Sequence, residues 1–176
     1  MALLRAVNLG PTNKVSMAEL RAEMVAAGFE RVRTYIQSGN VVFDTAMAER
    51  ARIAAAIEEL IRARFGVATP VVLRTRDELA GALERYPFPL DSAPEKLLHV
   101  MFLAEPPVPE RAAALDPARD PTVDWVLDGA ELFVRYRDGV AGAKLTNQYV
   151  DRTLGTASTG RNLRTVRALL AMMDEA

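Results

Sequence analysis

Thr34-Tyr35-Ile36-Gln37-Ser38-Gly39-Asn40-Val41-Val42-Phe43 reads as a β-hairpin, and the rest of the chain is organised around it. Two runs rich in β-branched and aromatic residues flank Ser38-Gly39. Glycine in the second turn position takes a positive φ at no steric cost. A two-residue loop there places Ile36 opposite Val41, Tyr35 opposite Val42, Thr34 opposite Phe43 and Arg33 opposite Asp44. Val32, Thr34, Ile36, Val41 and Phe43 then share one face, as a half-buried strand pair requires. Arg33 facing Asp44 adds an opposite-charge pair. Gln37 and Asn40 bracket the turn. They either hold it through side-chain to backbone hydrogen bonds or present their amides to a ligand.

Working outward, Ala2 to Val7 is an apolar run that predicts a strand, and Asn8 to Lys14 is a loop of turn formers. Ser16 and Glu19 form a capping box, and Met17, Leu20 and Met24 give the following helix its apolar stripe up to Gly28. Beyond the hairpin, Met47 to Phe65 predicts a helix that Gly66 stops, and Pro70 to Leu73 predicts a strand. The order is βαββαβ, the ferredoxin-like arrangement. Thr75 and Glu78 open a helix to about Arg85. Tyr86-Pro87-Phe88-Pro89 cannot continue it, so residues 86–95 read as a linker. A strand at Leu97 to Leu103 follows, then one or two helical turns at Glu110 to Leu115. A second hairpin runs from Val123 to Val134, turned at Asp128-Gly129, with Val123, Trp125, Leu127, Ala130, Leu132 and Val134 on one face. Helices are expected at about Ala143 to Leu154 and from Thr159 onward. The expected fold class is α+β with two subdomains. Residues 1–85 form the ferredoxin-like one, and residues 96–176 form a related αβ unit with a C-terminal helix.

The 176 residues suffice for one good-sized domain or two small ones, and the net charge of -1 supplies no strong field for nucleic acid. Cysteine is absent, which removes disulfides, thiol nucleophiles and cysteine-ligated zinc. No apolar run reaches the ~18 residues of a membrane span, and no signal peptide opens the chain, so a cytoplasmic protein without a membrane partner is expected. No motif for a cofactor is present, and the acidic residues lack metal-binding spacing. His99, the single histidine, alternates with Leu97, Met101 and Leu103 and reads as structural.

Four stretches carry polar residues that the fold does not obviously need. Asn8 and Lys14 sit on the first loop, and Gln37 and Asn40 on the hairpin turn. Lys144 is placed in a first helical turn, where a cation opposes the helix dipole. Arg161 and Asn162 are placed at the start of the last helix, with Ser158 or Thr159 as its cap. Helix N-termini combined with cations are a recipe for holding an anion. The leading expectation is a small anionic or phosphorylated ligand held in a cleft between the subdomains by Asn8, Lys14, Gln37, Asn40, Lys144, Arg161 and Asn162. No residue is assigned a catalytic role, and the sequence decides neither enzyme activity nor oligomeric state. The alternatives are a nucleic-acid-binding module, disfavoured by the charge balance, and an interaction protein without a ligand.

Several motifs occur together and in order: Leu4 to Gly10, Asn13-Lys14-Val15-Ser16-Met17, the hairpin, Pro87-Phe88-Pro89, Lys144-Leu145-Thr146-Asn147 and Gly160-Arg161-Asn162 with Thr165-Val166. In this the chain resembles the bacterial family catalogued as domain of unknown function 1697. The resemblance implies two α+β subdomains and no established activity, cofactor or catalytic residue. The family pattern differs at Ala6 and Pro11, where glycines are usual, and at Ala143, where serine is usual. It also differs at Leu163 and Arg164, where Trp-Asn is usual.

Overall fold

The computed structural model describes residues 1–175, which form two compact units. Met1–Arg76 with the C-terminal residues from Ala171 on make the first, and Asp77–Leu170 the second.

The first unit runs β1 (Ala2–Leu4), α1 (Met17–Ala26), β2 (Glu30–Tyr35), β3 (Asn40–Asp44), α2 (Arg50–Phe65) and β4 (Val71–Leu73). Its sheet has the order β2-β3-β1-β4 with every pair antiparallel. The βαββαβ order expected from the sequence is therefore observed. Ser16 caps α1 by accepting a hydrogen bond from the Glu19 amide at 3.3 Å, and Gly66 ends α2 in the left-handed conformation at φ 66°. Ala2, Leu4, Val41, Val71 and Leu73 from the sheet share one core with Leu20 and Met24 of α1 and Ile57 and Ile61 of α2. Fully burying each such side chain stabilises the fold by about 1.5–3 kcal/mol.

The hairpin register corrects the sequence expectation. Tyr35 pairs with Asn40, Thr34 with Val41 and Arg33 with Val42, so the loop has four residues and not two. The pairing has slipped by two positions, and a slip of two keeps every side chain on its face. Val41 is accordingly buried, with Val32 and Phe43 packed against the same core. Ile36 is lost to the turn, where it is 53% exposed. Asp44 meets Arg31 and not Arg33, because β2 is irregular between Glu30 and Arg33 and Arg31 takes φ 47°. The Arg33 guanidinium instead donates to the Met172 carbonyl.

The chain continues through α3 (Arg76–Glu84), a 3-10 turn at Glu95–Leu97, β5 (Leu98–Leu103), α4 (Pro109–Ala112), β6 (Val123–Asp128), β7 (Glu131–Tyr136), α5 (Asn147–Leu154), β8 (Ser158–Asn162) and α6 (Leu163–Asp174), and the second unit takes the part from Asp77 to Leu170. The sheet of the second unit has the order β6-β7-β5-β8, which repeats that of the first sheet, and its pairs are again antiparallel. The two units therefore share one strand connectivity, although the sequence shows no residue-level repeat.

Val123, Leu132 and Val134 form one core with Trp125, Leu127 and Ala130 packed on it, so the face read from the second hairpin is the observed one. Its turn falls one residue later than expected, at Gly129-Ala130, since Asp128 pairs with Glu131. Arg85 fastens that turn by donating to Asp128 and Glu131, both at 2.8 Å. His99 is structural. Its Nε2 lies 2.9 Å from the Lys96 carbonyl, its ring meets Tyr136 edge-on, and burial pushes its pKa down.

Asp124 on β6 carries a pH prediction. Hydrogen bonds first from Arg137 and then from Arg135 hold its carboxyl down to about 2, against the desolvation that raises it. The folded value lies below the ordinary carboxylate value of about 4, so this stabilisation is complete above that pH and is lost as pH falls toward 2. Asp124→Asn should therefore lower the melting temperature at pH 6, and the gap to wild type should close between pH 4 and 2. A gap constant across that window would show that the ion pairs are not its source.

Candidate functional site

The first loop and the hairpin turn are joined by one side chain. Asn8 Nδ2 donates to the Val15 and Gln37 carbonyls, both at 2.8 Å, and its Oδ1 accepts from the Val15 amide at 3.0 Å. Asn40 is fully buried, and its Nδ2 donates to the Tyr35 carbonyl and the Ser38 hydroxyl. The amides of Asn8 and Asn40 thus bond the backbone that surrounds them, while the Gln37 and Lys14 side chains are exposed on the same pair of loops. The loops are under backbone strain. Ala6, Asn8, Asn13 and Ile36 all have φ between 47° and 58°, a region that costs L residues about 1–2 kcal/mol each.

In the second unit the sequence expectation is corrected at two positions. Lys144 does not lie in a first helical turn, because α5 begins at Asn147 with Thr146 as its cap. The Lys144 amide instead donates to Asp120 Oδ2 at 2.6 Å, and Asp120 Oδ1 accepts from the Thr122 amide and hydroxyl. These bonds, the Lys144 amide first and the Thr122 hydroxyl next, hold the Asp120 carboxyl below its ordinary range. An anion does sit on this loop, and it is the protein's own.

Arg161 does not open a helix either. It is a buried residue of β8, paired with Val100, and its Nη1 donates to the Thr159 hydroxyl and the Gly160 carbonyl, both at 2.8 Å. Burial pushes its pKa down to about 10. The cap of α6 is Asn162, whose Oδ1 accepts from the Thr165 amide at 2.9 Å. Backbone pairing with β5 decides this segment, since Ser158 to Asn162 lie opposite Leu103 to His99. Ser158 is fully buried and bonds Asp151 and Asn147.

A different pair of cations lies beside an open cleft of about 480 Å³ in the first unit, within the size range of small-molecule sites. Its walls are apolar side chains from β3, the segment after it, α2, β4 and the end of α6: Phe43, Met47, Ile53, Leu73 and Met173. Arg50, Arg74, Asp44, Thr45 and Thr75 supply the polar lining. Arg50 Nη1 donates to the Leu73 carbonyl at 2.9 Å, and Arg74 Nη1 donates to the same oxygen at 2.8 Å. The two guanidinium groups are thereby held with these nitrogens within about 6 Å of each other. Arg74 is 3% exposed and is fixed by its surroundings. The one carboxylate of the lining, Asp44, is bonded to Arg31.

Neither arginine was singled out from the sequence, although each leaves a signal there. Arg50 stands in the first turn of α2, where a cation opposes the helix dipole, and Glu49 before it makes no side-chain cap. Arg74 directly follows the wholly apolar β4.

These features define an α+β protein of two units with one strand connectivity, the first carrying a cleft with paired arginines. The sequence matches the family described as "Protein of unknown function (DUF1697)" over residues 1–133, and the chain belongs to that family. It is similar in structure to the conserved bacterial protein SP0830 from Streptococcus pneumoniae, with a TM-score of 0.69 and 22% sequence identity. That match covers 98% of this chain and 96% of the other, and it bears on the fold alone. No curated protein matches the sequence. Among the described residues, no helix is long and apolar enough to cross a membrane.

Proposed function

We propose that this protein binds a small anionic ligand in the cleft of its first unit, with Arg50 and Arg74 as the charged contacts. The observation that carries this reading is the convergence of two guanidinium groups on the single Leu73 carbonyl at the cleft wall. Guanidinium offers five donors in a planar fork, a geometry that suits carboxylate or phosphate oxygens. The contact set differs from the one expected from the sequence, because the amides of Asn8, Asn40 and Asn162 bond backbone atoms.

Thermal unfolding in the presence of small carboxylates, phosphates and sulfate, each beside a neutral counterpart, tests the reading. A ligand that binds only the folded state at 100 times its Kd adds about 2.7 kcal/mol of stability. An anion-specific rise in melting temperature that Arg50→Gln abolishes is the expected result. Equal rises from the neutral counterparts would overturn the reading.

A further inference from the structure

We propose that the joined tips of the first loop and the β2–β3 turn dock on an anionic lipid surface, with Leu9 and Ile36 entering the bilayer interface and Lys14 meeting the headgroups. Ile36 carries the argument. It has φ 47°, an outlying conformation for a β-branched residue, and its side chain is 53% exposed. Neither backbone preference nor burial accounts for an isoleucine there, and glycine or asparagine would fit that backbone with less strain. Among the described residues Leu9 is the most exposed large hydrophobic side chain, at 77%. Strain held at an exposed apolar residue points to a contact made by that residue outside the fold.

The two side chains are held side by side. Asn8, next to Leu9, donates to the carbonyl of Gln37, next to Ile36, at 2.8 Å. The Leu4 amide donates to the Gly39 carbonyl at 2.8 Å, which seats the turn on β1. The loops are therefore ordered before any contact, which lowers the ordering cost of docking. Their charge has one sign. Residues 5–18 and 34–43 contain Arg5 and Lys14 and no aspartate or glutamate, and Lys14 is exposed. The net charge of -1 gives the whole chain no attraction to an anionic surface. Within a Debye length of such a surface the local cations decide the orientation.

A lipid surface fits these features better than a macromolecular partner does. The exposed pair is aliphatic and offers no stacking face to a nucleic-acid base. Two side chains cover far less than the about 1,000 Å² that a specific protein interface needs. A bilayer interface sets no such minimum, because lipids rearrange around whatever enters. Binding there scales with the apolar area buried plus the attraction to anionic lipids. Among the described residues no helix is fit to cross a membrane, which bears on spanning a bilayer and not on resting against one.

Sedimentation of the full chain with vesicles at low ionic strength tests the proposal, using phosphatidylcholine alone or mixed in equal parts with phosphatidylglycerol. The mixed vesicles should bind the chain, and the neutral ones should bind it at least about tenfold more weakly. Leu9→Ser and Ile36→Asn should each weaken binding to the mixed vesicles by at least about tenfold, as loss of one inserted aliphatic side chain implies. Lys14→Glu should weaken it by about tenfold or more. Ile36→Asn should leave the melting temperature at or above that of wild type, since asparagine tolerates φ 47°. A residue kept for the fold would not combine weaker binding with unreduced stability. No binding to the mixed vesicles, or equal binding to both compositions, would overturn the proposal. So would binding that survives both Leu9→Ser and Ile36→Asn, which would place the contact elsewhere. A lower melting temperature for Ile36→Asn would show that the isoleucine serves the fold, and the proposal would fall with it.

Discussion

Gly39→Val should cost at least about 3 kcal/mol of stability. Two effects add at this position. Gly39 has φ 76°, where an L residue loses about 1–2 kcal/mol and a β-branched one more. A Cβ there would also lie 2.6 Å from Val7 Cγ2 and 2.7 Å from Leu4 Cβ. The second contact is to an atom fixed to the backbone of β1, whose amide donates to the Gly39 carbonyl at 2.8 Å. Overpacking of this kind typically costs a further 1–3 kcal/mol. Gly39→Ala should be nearly as harmful, because the Cβ itself makes the clash. Gly129→Ala is the control. Gly129 also has a positive φ, 58°, but nothing lies within 4 Å of its added Cβ, so it should lose only about 1 kcal/mol. Urea unfolding of the two alanine variants separates the effects. Equal losses would mean that the close approach of the turn to β1 contributes nothing.

Phe133→Ala should cost about 3–5 kcal/mol, the usual range for truncating a buried phenylalanine. Phe133 on β7 is 1% exposed, and its ring meets Tyr86 edge-on with centroids 5.7 Å apart. Tyr86 cannot readily follow a shrinking core, because its hydroxyl donates to the Val134 carbonyl at 2.8 Å. Burial, the larger influence, raises the Tyr86 pKa against the hydrogen bond from the His99 backbone, so its proton stays in place across the ordinary pH range. The space left by Phe133 would therefore remain largely open, which is the condition for a cost near the top of the range. Phe133→Leu should cost less, since it refills much of that space. A loss below about 1 kcal/mol in chemical denaturation of Phe133→Ala would show that the site collapses and that Tyr86 is not anchored.

Much of the local structure is legible in single segments. Ser16 with Glu19, Gly66 and the periodicity of Met17, Leu20 and Met24 are signals that a few neighbouring residues carry and that no distant contact overrides. Alternation in the two hairpins assigned the buried faces correctly even though both turns were misplaced by one residue. Moving a turn by one residue slides the register by two, and side chains alternate with period two. The site was less legible. Asn8, Asn40 and Asn162 have the composition of a ligand site, but their amides complete backbone hydrogen bonds. Arg50 and Arg74, which we propose as charged contacts, each look like an ordinary surface charge in a sequence.

The α+β class, the βαββαβ order of the first unit, the apolar face of each hairpin, and the caps of α1 and α2 are all written in local stretches of sequence. All of these follow from propensity, alternation and capping, which act over a few residues. The tertiary structure alone decided four further features. The turn has four residues because Gly39 must lie against Leu4 and Val7. Ser158 to Asn162 form a strand because β5 offers them a ladder, although only Thr159 among them favours a strand by itself. The loop amide of Lys144 is met by Asp120 from 24 residues away. Arg50 and Arg74 share one carbonyl because α2 and β4 come together beside it. In each case the deciding partner is distant in the chain, and a hydrogen bond or close approach to a distant partner leaves no periodic trace in the sequence.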